Sequence, residues 1–165
     1  MKNLHGIILL AAVAVLAGCG ILNQKSPEAI AEEQKTEKLV QDKLDAKQFT
    51  VNVNYMMPTK GGSKAVNGSY SLTIDGDSID SYLPYVGGAT SIPYGGGKGL
   101  TFKDKITKYT DSGWEKDQRK ISVTTENGED TLTYNIIIFK NGSASIVVTS
   151  RNRDTISYRG LVDME

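Results

Sequence analysis

From Phe49 onward the chain repeats one local pattern, and that pattern restricts the fold more than any other feature. The stretch "FTVNVNYMM" puts Phe49, Val51, Val53, Tyr55 and Met57 on one face and Asn52 and Asn54 on the other. A period of two belongs to a half-buried β-strand, because successive side chains point to opposite faces. Pro58 ends the run, and "TKGGSK" turns the chain. Tyr70, Leu72 and Ile74 alternate next, and Asp75-Gly76-Asp77 supplies a hairpin turn. Ile79 and Leu83 carry a third strand to Pro84. Leu100 and Phe102 alternate, "KDK" interrupts, and Ile106 and Tyr109 follow, which reads as one bulged strand. Ile121, Val123 and Thr125 form the next strand, closed by Asn127-Gly128. Leu132, Tyr134, Ile136 and Ile138 then share a face, with Ile137 and Phe139 opposite. Apolar residues on both faces predict a central or covered strand. After Asn141-Gly142, Ala144, Ile146 and Val148 alternate, "SRNRD" turns, and Ile156, Tyr158 and Val162 end the pattern.

Short strands with turn signals roughly every 8–12 residues predict a mainly β, antiparallel meander. About eight strands are expected, curled into a barrel-like domain or stacked as a sandwich. No helical pattern separates the strands, which argues against a parallel α/β sheet.

The residues before Phe49 divide differently. A leader is expected over 1–18, a tether over 19–25, a helix over 26–47 and the β domain over 48–165. Ser26 can cap the helix, Pro27 suits its first turn, and Glu28 complements its N-terminus. Of its few apolar residues, Val40 and Leu44 lie one turn apart and can dock, whereas the first half has little to bury.

The leader opens with the charged Lys2, continues with the apolar run Gly6–Ala17 and ends in Leu16-Ala17-Gly18-Cys19. This is the layout of a cleaved secretory signal. "LAGC" resembles a bacterial lipobox, which implies cleavage before Cys19 and lipid on its thiol. Lipidation there would anchor the chain to a membrane. Cleavage would leave 147 of the 165 residues, with 18 basic against 19 acidic side chains because Lys2 departs. A balance so near neutrality gives no reason to expect nucleic acid as a partner. His5, the one histidine, also departs, and Cys19 is the one cysteine. The mature chain would then have no histidine and no free thiol. Ser-His-Asp, Cys-His and His/Cys zinc sites are unavailable to such a chain. No catalytic residue, metal ligand or cofactor is therefore assigned.

The stretch "DSIDSYLPYVGGATSIPYGGG" is the densest candidate for a site. Tyr82, Tyr85 and Tyr94, with Trp114, offer flat rings with polar tips for a small ligand or glycan. The alternative is that the tyrosines staple a loop to the sheet. A phosphate loop at Gly95–Gly99 lacks the Ser/Thr after Lys98 and the following helix. Asp75, Asp77 and Asp80 read as turn residues rather than calcium ligands. Arg151 and Arg153 read as a solvated turn. Asp77-Ser78-Ile79, Asp130-Thr131-Leu132 and Asp154-Thr155-Ile156 resemble the O-glycosylation signal of exported Bacteroidetes proteins, with Ser78, Thr131 and Thr155 as acceptors.

The leader, Tyr82-Leu83-Pro84-Tyr85, Pro93-Tyr94-Gly95-Gly96 and Ile156-Ser157-Tyr158-Arg159-Gly160 together resemble the domain of unknown function 4251 family. The resemblance runs from about Phe49 to the C-terminus and implies a Bacteroidetes-type envelope protein. It implies no activity and no catalytic residues.

The expected protein is thus lipid-anchored in the cell envelope and non-enzymatic, binding a small ligand, glycan or envelope protein. Gly20–Lys25 carries no acidic residue, which favours the outer membrane's periplasmic face. The alternative is a carboxylate-based hydrolase acting on an envelope or dietary glycan.

Overall fold

The structure, a computed structural model, describes residues 25–90 and 99–165. The chain divides into two units, Met1–Glu32 and Glu33–Glu165. In the first, the described part is the start of helix α1 (Pro27–Asp45), where the Ala29 N–H donates to Ser26 Oγ at 3.2 Å. In the second, Val40 and Leu44 near the helix end are fully buried, as their spacing predicts.

Nine antiparallel strands follow the helix: β1 (Gln48–Pro58), β2 (Lys64–Ala65), β3 (Ser71–Asp75), β4 (Ser78–Leu83), β5 (Leu100–Glu115), β6 (Gln118–Glu126), β7 (Thr131–Phe139), β8 (Ser143–Ser150) and β9 (Ile156–Val162). The order is a meander, and β1 pairs again with β9 from Val51↔Val162 to Pro58↔Ile156. Eight strands thereby close into a barrel, and β2 adds a short ninth on β1. The sandwich alternative gives way to the barrel because β1 is hydrogen-bonded on both edges.

An eight-stranded barrel is just wide enough for side chains to fill. Inward positions of successive strands do so: Val51, Leu72, Ile79, Val123, Ile136 and Ile146 are all buried. Tyr134 and Tyr158 join them with satisfied hydroxyls. Tyr134 donates to Ser81 Oγ at 3.0 Å, and Tyr158 donates to the Pro84 carbonyl at 2.6 Å. Burial pushes both phenols above their ordinary pKa.

Three local expectations need correction. Tyr55 and Met57 do not share the inner face with Val53. A bulge between Val53 and Tyr55 inserts one residue, so Met56 turns inward and Tyr55 is left 47% exposed. Of the two expectations for β7, it is central, paired to β6 and β8, but its reverse face is not covered: Phe139 is 38% exposed. The turn stretch "TKGGSK" does not stay a turn to its end: its last residue, Lys64, begins β2, whose Lys64 and Ala65 pair with Met56 and Tyr55. By contrast β5 is the bulged strand expected, with shifts at Ile106/Lys108 and Asp111/Trp114.

Candidate functional site

Of the aromatic residues singled out from sequence, the described ones, Tyr82, Tyr85 and Trp114, do not converge. Tyr82 lies on the outer face of β4, its ring 5.3 Å from that of Tyr70. Tyr85 lies in the crossover from β4 to β5, at one end of the barrel. Trp114 is near the far end of β5, beside the opposite end, and Tyr94 lies outside the described residues. The Tyr85 hydroxyl donates to the Gly88 carbonyl at 2.7 Å and reaches the Asp154 carbonyl at 3.3 Å. Asp154 Oδ2 accepts the Gly88 N–H at 2.8 Å. The base of the crossover is thus tied to the β8–β9 turn, which supports the stapling alternative. Burial raises the Tyr85 pKa, and the Asp154 charge adds to the rise.

That turn holds a group the sequence reading misplaced. Arg153 is not solvated: its side chain is 6% exposed, 5.6 Å above the Tyr85 ring. One terminal nitrogen is 3.4 Å from Glu129 Oε2, and Nε is 3.6 Å from Asp130 Oδ2 without a hydrogen bond between them. Asp130 also accepts from Ser150 Oγ. Asn127 Nδ2 and Asp130 Oδ1 are buried nearby without hydrogen-bond partners. Glu126, Glu129 and Asp130 line a hollow of about 410 Å³ beside Arg151. Arg151 itself is exposed. Nothing within "SRNRD" separates the two arginines; only the three turns meeting at this end do.

The opposite end is better satisfied. Arg119 donates from Nε and a terminal nitrogen to Asp111 at 2.9 and 2.7 Å, and from the other terminal nitrogen to Asp45 at 2.5 Å. Hydrogen bonding to Asp111, then to Asp45, raises the Arg119 pKa against the opposing effect of burial. For Asp111, burial acts upward, but Arg119 and the Gly113 N–H outweigh it and hold the carboxyl below its ordinary value. Beside them Tyr109 lies under Lys47 Nζ, 4.6 Å from its ring centre, and its hydroxyl is buried without a partner. Burial, then the Asp111 charge, push its pKa up to about 12. This constellation locks the last helical turn onto β5 and β6.

The groove that sequence reading missed is on the outer wall. It has a volume of about 690 Å³ and crosses β7, β8, β9 and β1. Register aligns its floor: Ile137 lies opposite Ser145, Ser145 opposite Arg159, and Arg159 opposite Tyr55. Phe139 and Ile137 form one wall, Tyr55 and Asn54 the other. Arg159 is exposed and has no ion-pair partner among the described residues. Among the described residues, no carboxylate lines the groove. Gly160 sits in the floor at the β1–β9 seam, where a Cβ would collide with the Asn52 carbonyl oxygen. One signal was present: the outward Ile137 and Phe139 on β7.

The hydroxyl residues after turn aspartates all begin strands or precede one: Ser78 is half-buried, and Thr131 and Thr155 are exposed. Asp75 and Asp77 flank Gly76 in the β3–β4 turn. Cys19 lies outside the described residues.

No curated protein matches the chain. A crystal structure of a DUF4251 family protein from Bacteroides eggerthii DSM 20697 is similar, with a TM-score of 0.62 and 14% identity, covering 80% of this chain and 89% of that one. This likeness concerns the fold. The family model described as Domain of unknown function (DUF4251) matches residues 31–162, so the barrel and the latter part of its helix fall within it. The chain belongs to the DUF4251 family.

Proposed function

We propose that this is a lipid-anchored cell-envelope protein whose barrel binds a ligand or partner in the outer groove and catalyses no reaction. The observation that carries the reading is the groove itself. Aromatic rings stand exposed there beside a guanidinium with no ion-pair partner among the described residues, while the lumen is filled by side chains. Sites of about 300–1,000 Å³ lined by apolar walls and a few polar groups suit small ligands. Anchoring rests on the apolar run before Cys19, and the periplasmic face of the outer membrane on the acid-free Gly20–Lys25.

The experiment is site-specific photocrosslinking in native envelopes. A photoreactive residue replacing Ser145 should give a discrete adduct, and one replacing Thr101, away on outer β5, should not. No adduct at Ser145, or equal adducts at both, would defeat the groove reading. Loss of palmitate labelling in Cys19→Ala tests the anchor separately. Protease shaving of intact cells that removes the protein would move it to the outer surface.

A carboxylate hydrolase acting on a glycan has one observation in its favour, the three acids lining the hollow at the β6–β7 turn. Glu129 and Asp130 face Arg153 there, which favours a structural role for them. Hydrolysis of envelope oligosaccharides lost in Glu126→Gln would revive the enzyme.

A further inference from the structure

We propose that the outer groove takes an acidic oligosaccharide, with a carboxylate on Arg159 and a sugar ring against Tyr55. The inference rests on the groove being a binding site and names what it binds.

Charge is the first argument. Among the described lining residues Arg159 is the one ionised side chain, and none is acidic. A cationic ligand would meet only repulsion there, and a metal ion would find no carboxylate. A planar guanidinium without a protein partner suits a carboxylate, which it can grip through two parallel hydrogen bonds.

The second argument is the distribution of polar groups. Asn54, Ser63, Ser143 and Ser145 place an amide and hydroxyls on both sides of Arg159. Such groups match a ligand with hydroxyls along its length. Tyr55, 47% exposed, offers a flat face for the apolar side of a sugar ring. The volume of about 690 Å³ has room for a short saccharide.

The competing occupants fit less well. A peptide adding as a strand needs unpaired main-chain groups, but β7, β8, β9 and β1 are each paired to neighbours through this region. Docking on an anionic lipid surface draws on clusters of roughly 4–8 basic residues, and the groove's described lining has a single one.

The test uses full-length protein in detergent, titrated with galacturonate, hyaluronan and chondroitin sulfate tetrasaccharides. A carboxyl-reduced galacturonate tetrasaccharide is the neutral control. At least one acidic tetrasaccharide should bind, and its binding should weaken about tenfold or more on carboxyl reduction or in Arg159→Gln. Ser145→Trp, which fills the floor, should block it. Arg159 is exposed and has no ion-pair partner among the described residues, so Arg159→Gln should keep the wild-type melting temperature. Binding of none of the three, equal binding of the neutral control, or unchanged binding in Arg159→Gln would each overturn the proposal. Arg159-dependent capture by phosphatidylglycerol vesicles would assign the groove to a lipid headgroup and overturn it too. If the saccharides fail while Ser145 still crosslinks in envelopes, the ligand class is wrong and the groove reading stands.

Discussion

Tyr85 in the β4–β5 crossover and Tyr55 in the outer groove are the same side chain in opposite circumstances. Tyr85 commits its hydroxyl to the Gly88 and Asp154 carbonyls and lies beneath Arg153. Tyr55 leaves nearly half of its surface to solvent beside an arginine without an ion-pair partner among the described residues. The crossover is the richest run in Tyr, Pro and Gly, and its described tyrosine serves the fold. The groove has no notable composition, and its tyrosine is free to meet a ligand. Residue density in sequence therefore marks where a chain must be held as readily as where it binds.

The largest expected effect comes from breaking the groove's floor. Gly160→Ala would drive a Cβ into the Asn52 carbonyl at the barrel seam, costing about 3 kcal/mol. Thermal unfolding checks this, and an unchanged melting temperature would mean the seam is not tightly closed. Next, Tyr85→Ala should cost about 2 kcal/mol through lost packing and hydrogen bonds. Tyr55→Ala should stay within about 0.5 kcal/mol while weakening ligand binding. Equal destabilisation by the two would erase the distinction drawn between the regions.

Smaller still, Tyr85→Phe should cost about 1 kcal/mol by removing only the hydroxyl. This contribution has a pH signature. The folded pKa of Tyr85 is raised above its unfolded value, chiefly by burial. Its contribution is full below pH about 10 and is lost as pH rises through the folded value. Alkaline melts of Tyr85→Phe should therefore fall less steeply than those of wild type; parallel curves would contradict the shift. At the bottom of the scale, the O-linked modification proposed at Ser78, Thr131 or Thr155 should appear in the native intact mass with little change in melting temperature. A mass that carries no added glycan, whether or not the chain proves lipidated, would refute it.

Much of the fold was legible because strands and turns are local. The two-residue period sets which side chains face inward, and Asp75-Gly76 and Asn141-Gly142 mark turns by their tolerance of positive φ; Gly76 is at +57° and Gly142 at +82°. The β5–β6 turn had no such mark, because Lys116 takes φ +59° itself. The bulge at Asn54 was hidden for a related reason. "FTVNVNYMM" alternates smoothly, and nothing in it says that one residue is skipped by the partner strand. That skip decides whether Tyr55 faces core or solvent, so the candidate site could not be read from the same string. The buried Arg153 is similar: its burial depends on Tyr85 and on the β6–β7 turn, both remote in sequence.

By itself, the sequence determined the helix, the eight barrel strands, their antiparallel succession and the docking tip of the helix, since each depends on neighbours a few positions away. The tertiary structure decided closure and what closure assembles. Pairing β1 with β9 joins residues about a hundred positions apart, in a register set by one bulge and permitted by Gly160. That long-range pairing aligns Ile137, Ser145, Arg159 and Tyr55 across four strands. A chain's local pattern can require that such residues face outward. Only the geometry of the closed sheet makes them neighbours.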